Sequence, residues 1–284
     1  MPEFVDFLLA FGMSEHSKDF LYSGFRSEMN LADDCDRLIL QRLGRSGREI
    51  RLCHILRSAE EVPGQRWPWA LRPTVTYHSF DAESGKSVWM VVKANEVIKD
   101  RIRASCDDQD LYQYSSDGDF DNSFESTLRT HLVLCALAGE NWRWYINYIE
   151  QQIQDLTRGA LVGQLTAAQF SFADLQRVHF VEEKANEALM VLEANAAVIQ
   201  ELCMFYTTAE TAFNTMSQYT RSIVSAIAMF RRHLDTTARD LAMQQARSRL
   251  LLKFIAHRKS LVRITAKQRC TKLKKHLAKV TTAC

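Results

Sequence analysis

The most regular feature of the sequence is an apolar repeat in its second half. From Val178 to Leu241, apolar residues recur at alternating steps of three and four, with Asn195 and two threonines as the polar exceptions. A repeat of 3.5 residues kept this long is typical of a coiled coil. Residues 164–284 contain neither Gly nor Pro, the two main helix breakers. The sequence therefore predicts one stalk helix from Phe172 to about Ala256, roughly 125 Å long at 1.5 Å per residue.

We expect the apolar stripe of this helix to be a packing seam, within one chain or between chains. Asn195 interrupts it, and a single polar residue inside such a seam fixes register at some cost in stability. We expect the seam to consist of Leu192, Asn195, Ile199, Leu202, Tyr206, Phe213, Ile223, Ile227, Phe230 and Leu234.

A shorter apolar stripe precedes the long one. Apolar residues run from Leu128 to Leu156 at steps of four and three, which predicts one amphipathic helix beginning at Ser123. Arg158 and the glycines up to Gly163 end it. We expect this helix to pack on the stalk.

The first part of the chain shows mixed α and β patterning. A short helix is predicted near the N-terminus, a strand over Arg48 to Arg57, and a hairpin around the turn from Asp81 to Lys86. A helix capped by Asn95 follows, and then an acidic loop from Asp107 to Asn122. The predicted class is α+β, with an α/β domain, a helical layer and a stalk helix. The predicted boundaries are 1–122 for the mixed domain, 123–163 for the packing helix, 164–256 for the stalk and 257–284 for a basic tail.

Charge is distributed unevenly although the net charge is only +2. From Leu251 onward there are ten Lys or Arg and no Asp or Glu, which suits an anionic membrane surface. In Lys267 to Val280 no aromatic residue is interleaved for base stacking, so nucleic acid is not favoured as a partner, and a solvated helix end is the alternative for this tail. The longest uncharged run, Gly159 to Ala173, is too short and polar to span a bilayer, so we expect a cytoplasmic protein, in places peripheral to a membrane. Seven cysteines without C-x-x-C spacing agree with a reducing compartment.

The acidic loop contains the one candidate metal site. Asp117, Asp119 and Asp121 occupy the first, third and fifth positions of a calcium-loop pattern, but Asn122 and Leu128 stand where that pattern needs Gly and Glu. An EF-hand is therefore excluded. Clustered carboxylates still suit a hard cation, so weak Mg²⁺ binding is the prediction, with a solvated acidic loop as the alternative.

No catalytic pattern is found. The stretch Ser84 to Ser87 (SGKS) copies the end of a phosphate-binding loop, but Phe80 replaces its first Gly and a strand follows. Cys53, His54 and His78 match no nucleophile signature, and on alternating strands they are expected at core or edge positions. We therefore expect no enzyme.

Two segments together resemble the cytoplasmic region of fungal CorA-like divalent-cation transporters. The first is PWALRPTVTYHSFDAESGKSVWMVVKANEVIKDRI and the second is FSFADLQRVHFVEEKANEALMVLEAN, and the likeness extends over roughly residues 1–262. The positions that carry it are Trp69, Arg72, Tyr77, His78, Phe80, Asp81, Trp89, Lys93, Asn95, Ile98, Arg101, Phe172, Asp174, Leu175, Gln176, Glu182, Glu183 and Asn195.

This resemblance implies an α/β/α domain, helices packed on a stalk, and pentameric assembly around a Mg²⁺ path. Such transporters continue after the equivalent of Val262 into two membrane helices with a Gly-Met-Asn signature, whereas here the basic tail follows. We therefore expect a module without the pore, which assembles with itself or with full-length CorA-like subunits. The alternative is a coiled-coil scaffold with no role linked to ions.

Overall fold

The structure is a computed structural model that describes residues 39–41, 49–81, 84–92, 96–107, 120–161, 172–215 and 221–281. Within these ranges, strands come first and helices follow, which confirms the mixed α and β class with long helices. The strands are β1 (Ile39–Gln41), β2 (Glu49–Glu61), β3 (Trp69–Asp81) and β4 (Ser87–Val92). The helices are α1 (Glu96–Asp107), α2 (Phe120–Gly139), α3 (Trp142–Leu161), α4 (Phe172–Thr215) and α5 (Arg221–Thr281). The predicted N-terminal helix and most of the acidic loop lie outside the described residues.

The strands form one antiparallel sheet in the order β1-β2-β3-β4. The predicted hairpin is confirmed as β3 and β4, which pair from Val75↔Val92 to Phe80↔Ser87. Its turn uses Gly85 at a φ of 66°, in the left-handed region that a Gly adopts without a steric penalty. The Gly85 N–H donates to the Asp81 carbonyl at 2.9 Å and so closes the turn.

The chain divides into two compact units. Unit 1 consists of residues 1–142 and 191–242, and unit 2 consists of residues 143–190 and 243–284. Unit 1 thus contains the sheet, α1 and α2 with the later part of α4 and the earlier part of α5. Unit 2 contains nearly all of α3 with the remaining parts of α4 and α5.

Side chains alternate between the two faces of the sheet along each strand, and buried residues lie on both faces. One face contributes Cys53, Ile55, Val75 and Tyr77 to an apolar cluster that Met90 and Val92 complete. The opposite face contains His54, His78 and Phe80, all buried. Phe80 meets Phe124 of α2 edge to face, with ring centroids 5.5 Å apart. The second face is therefore where α2 packs on the sheet.

The prediction of one helix from Ser123 to Leu156 is wrong. The helical pattern holds, but α2 ends at Gly139 and α3 begins at Trp142. Asn141 between them has a φ of 65°, a conformation that Asn tolerates at helix ends better than most residues. A Cβ at Gly139 would lie 3.3 Å from the Thr237 methyl group, so α5 packs closely at this break.

The prediction of one helix from Phe172 to about Ala256 is also wrong. In unit 1, Cys203 Sγ of α4 lies 3.5 Å from Asp235 Oδ1 of α5. On one straight helix, 32 residues would separate them by roughly 48 Å. Tyr206 and Phe230 also meet, with ring centroids 4.8 Å apart, and Arg231 pairs with Glu210. The residue numbers fall on one helix as they rise on the other, so α4 and α5 are antiparallel partners.

Unit 2 is held together by contacts of α5 with α3 and α4. Lys259 of α5 forms an ion pair with Glu182 of α4, which lies 77 residues earlier in the chain. Arg247 of α5 reaches Glu150 of α3 at 3.6 Å. The core of this unit is made by short and branched apolar side chains of the three helices, among them Ile149, Ile153, Val178, Val181, Ala185, Ala188, Ile255 and Val262.

Helix α4 is the one described helix with the length and apolar composition to cross a membrane. The stretch from Ala173 to Thr211 has a window of mean hydropathy 1.5, and half of that window is buried inside the protein. By composition alone, α4 does not meet the expectation of no spanning segment, because it contains one 18-residue window with at most two charged residues.

Candidate functional site

The predicted metal ligands fall mostly outside the described residues. Asp117 and Asp119 lie there, and Asp121 is in the first turn of α2. Within the described ranges, no group of three or more His, Cys, Asp or Glu side chains is placed to hold a metal ion. The Mg²⁺ site at this loop therefore stays a prediction.

The predicted seam residues lie in the interior of unit 1. The α4 members Leu192, Asn195, Ile199, Leu202 and Tyr206 are buried, as are Ile223, Ile227, Phe230 and Leu234 of α5. The side chain of Phe213 is outside the described set. The seam of one chain is thus covered by that chain's own sheet and helices, and its use between chains stays a prediction.

Asn195 joins α4 to the sheet and to α2. Its Oδ1 accepts from the Arg57 backbone N–H at 2.9 Å, and its Nδ2 donates to the Arg57 carbonyl at 2.7 Å. The same Nδ2 lies 3.2 Å from the carbonyl of Ala138 in the last turn of α2. Asn195 is 1% exposed, so these bonds form away from water. We call this set of contacts the Asn195 joint.

The geometry of β2 explains why the joint forms at Arg57. The N–H and carbonyl of one strand residue point to the same side, and both groups of Arg57 bond to Asn195, so they point away from Pro73 of β3. On the other side of β2, the described residues of β1 pair with residues 51–53. A buried N–H and carbonyl without hydrogen-bond partners would cost free energy. The primary amide of Asn195 supplies the donor and acceptor that a neighbouring strand would otherwise give them.

A surface ion pair supports the break that follows α2. Arg101 of α1 binds the Glu140 carboxylate with both guanidinium nitrogens, one of them at 2.9 Å from Glu140 Oε2. The pairing raises the pKa of Arg101, chiefly through the hydrogen bond to Glu140. Arg101 therefore ties α1 to the end of α2, next to Ala138 and the Asn195 joint.

A second polar group is buried a short distance along the same face of the sheet. His54 of β2, His78 of β3 and His131 of α2 are at most 1% exposed. His131 Nε2 lies 3.1 Å from His78 Nδ1, and the His54 ring centroid is 5.8 Å from that of His131. Trp89 of β4 stacks on His78 with centroids 4.0 Å apart. We call these three residues the histidine cluster.

Most ring nitrogens of the histidine cluster have no hydrogen-bond partner. Both nitrogens of His54, Nε2 of His78 and Nδ1 of His131 are in this position. Burial lowers the pKa of His54 to about 4, and burial together with His54 lowers that of His78 to about 3. Burial and the two other rings lower the pKa of His131 well below its ordinary value. All three imidazoles are thus neutral near pH 7.

Sequence reasoning found part of this site. The expectation that His54 and His78 take core positions is confirmed, and Asn195 was recognised as a polar residue in the seam. His131 was missed, because a single His on an amphipathic helix gives no signal of its own. The partners of Asn195 were missed as well, since they lie 57 and 138 residues away in the chain.

The sheet with its attached helices places the chain in the class of mixed α/β domains that carry long helices. A model of the CorA-like transporter family matches residues 1–161, more than half of the chain, and ends where α3 ends. The chain therefore belongs to the CorA-like transporters, which relates it to divalent-cation transport. The matched family consists of transporters and gives no indication of an enzyme. A comparison with curated proteins gives no match.

Proposed function

We propose that this chain is a cytoplasmic part of a divalent-cation transport assembly, with a structural or regulatory role and without a pore of its own. The observation that carries the proposal is the Asn195 joint. It fastens α4, the helix with the long apolar window, to the sheet of the family domain. A helix used in this way transmits a change in the sheet to the helix pair because the two are hydrogen-bonded without intervening water.

The packing of α4 favours this role over that of a membrane span. Insertion of α4 into a bilayer would remove the Asn195 joint and the packing of Ile199 and Leu202, both fully buried. The stretch from Ala173 to Thr211 also contains seven acidic residues. A charged side chain near the bilayer centre costs about 2.5–3.5 kcal/mol on insertion scales. The protein interior therefore suits this helix better than lipid does.

Uptake by sealed liposomes tests the proposal. The purified full chain is added to liposomes that contain a fluorescent Mg²⁺ indicator, with Co²⁺ and its own indicator in a second series. We expect no protein-dependent entry of either ion when no other subunit is present. An ionophore provides the positive signal. Protein-dependent entry that rises with the amount of chain would contradict the proposal.

Assembly is the second part of the proposal. We propose that the chain associates with itself or with full-length CorA-like subunits, as the family resemblance implies. Sedimentation velocity over a hundredfold range of concentration tests self-association, and co-purification with a tagged full-length subunit tests the mixed complex. A chain that sediments as a monomer throughout and captures no subunit would remove this part.

The scaffold alternative differs in its response to ions. If the module is linked to ions, saturating Mg²⁺ protects residues 107–122 from limited proteolysis, because bound carboxylates order the loop. An unchanged cleavage pattern favours a scaffold that keeps the fold and has no ion-linked role. The Asp117, Asp119 and Asp121 triple Asn variant is the matched control, since it removes the carboxylates and keeps the side-chain size.

A further inference from the structure

The histidine cluster has a chemistry that the proposed role does not use. It joins three elements, β2, β3 and α2, in a site without water contact. Three neutral imidazoles have three acceptor nitrogens and three N–H donors, of which one of each is used in the contact between His78 and His131. Since these residues are not placed to hold a metal ion, the reaction open to the unpartnered acceptors is proton uptake.

We propose that the histidine cluster is an acid-sensitive latch, in which proton uptake by His54, His78 and His131 releases α2 from the sheet. While the latch is closed, positive charge on the rings stays buried away from water. A second or third imidazolium would stand beside the first, with the ring centroids of His78 and His131 only 4.9 Å apart. Opening lets water reach the rings and separates the charges.

Among the residues that the structure describes, the groups that face the cluster provide no compensating negative charge. Thr76 of β3 and Trp89 of β4 are uncharged, and so is Phe230 of α5. The titratable neighbours are Cys135, one turn after His131 on α2, and Tyr206 of α4. Burial raises the pKa of the Cys135 thiol to about 12, and it raises the pKa of Tyr206 above its ordinary value with Cys135 as a second cause. Both groups are therefore neutral throughout the acid range.

The direction of the pH effect follows from the lowered pKa values. In the closed state His54 and His78 titrate at about 4 and 3, whereas the opened rings regain the ordinary value of 6.5. The closed state is thus fully stable above pH 6.5 and loses stability as the pH falls below that value. For each proton taken up on opening, a fall of one pH unit raises the equilibrium constant for opening about tenfold. Uptake of three protons therefore raises it about 1,000-fold per pH unit. Opening is therefore steep, and the loss of stability falls between pH 6.5 and the lowered closed-state pKa values.

The latch and the Asn195 joint are neighbours on the same element. Release of α2 moves Ala138, whose carbonyl is bonded to Asn195. Acid would therefore loosen the contact between the sheet and α4 as well. Opening of the latch depends on the fold of unit 1 and not on whether the chain serves a cation transporter.

Amide hydrogen exchange of the full chain between pH 8 and 4, corrected for the intrinsic pH dependence of exchange, tests the latch. We expect protection of residues 120–139 to fall with the uptake of two to three protons, at a midpoint above pH 4. His131→Leu removes one titrating ring and should make the pH dependence about tenfold weaker per pH unit. His233→Leu, an exposed position on α5, is the matched control and should leave the profile unchanged.

Two results would overturn the latch. One is a pH profile of α2 that is the same in His131→Leu and the wild type. The other comes from the ring signals of the wild-type chain in NMR spectra, which decide the matter even if the variant fails to fold. The three cluster rings should stay neutral until α2 opens, so rings that take up protons while residues 120–139 remain protected would rule out the mechanism.

Discussion

Replacement of Asn195 by Ala should destabilise unit 1 more than any other change of one polar residue on α4. The variant removes the amide that bonds the Arg57 N–H and carbonyl in the interior. The Ala138 carbonyl keeps a partner, since Trp142 Nε1 donates to it at 2.7 Å. Two unsatisfied backbone groups at about 1–3 kcal/mol each give a loss of about 2–6 kcal/mol. At about 2–4 °C per kcal/mol, the melting temperature should fall by at least about 4 °C.

Urea unfolding and amide exchange measure this loss. Gln200→Ala is the control, because Gln200 is exposed on the same helix five residues later and should change the free energy of unfolding by less than about 0.5 kcal/mol. Asn195→Asp separates the two halves of the joint, since a carboxylate still accepts from the Arg57 N–H but cannot donate to its carbonyl. We expect it to be at least as unstable as the Ala variant. Equal stabilities for Asn195→Ala and Gln200→Ala, with unchanged exchange at the Arg57 amide, would refute the reasoning.

Three further predictions concern the seam, the acidic loop and the basic end of α5. Ile199→Asp or Ile227→Asp places an unpaired charge at a fully buried position, so either variant should abolish cooperative melting. The control Ser225→Asp, at an exposed position, should melt like the wild type. Equal melting curves for all three variants would argue against the seam. Calorimetry should show millimolar Mg²⁺ binding that the triple Asn variant of Asp117, Asp119 and Asp121 lacks, and identical heats in both proteins would remove that site. The chain should float with anionic vesicles at low salt and detach at high salt, because each Lys or Arg near the surface contributes about 1 kcal/mol that salt screens; flotation with neutral vesicles would point to apolar contact instead.

The hairpin of β3 and β4 could be predicted from the sequence because its signals are local. The strand residues and the turn with Gly85 all lie between Trp69 and Val92, and the positive φ at the turn suits a Gly. The helical character of residues 164–284 could be predicted equally well, since it depends on periodicity and on the absence of Gly and Pro. Local composition therefore accounts for the elements of this fold.

The ends of the helices could not be predicted from the sequence in the same way. The apolar stripe crosses the break at Asn141 in step, so periodicity gives no reason to end α2 there. The seam likewise continues in phase from α4 into α5, although the helices run in opposite directions. Helical phase is a property of sequence spacing, whereas the direction of a helix depends on contacts such as that of Cys203 with Asp235. A pattern with one period cannot distinguish a stalk from a helical hairpin.

The Asn195 joint also sets an order of events during synthesis. Arg57 precedes Asn195 by 138 residues, so a ribosome that adds about 5–20 residues per second reaches the partner roughly 7–28 s later. Hairpins of strands form within microseconds, and β2 therefore waits with an uncovered edge for nearly all of that interval. An unprotected edge is a template for pairing with other chains. Nascent chains on one messenger are thus exposed to mispairing at Arg57 until α4 emerges, and a chaperone that covers this edge would raise the yield of folded protein.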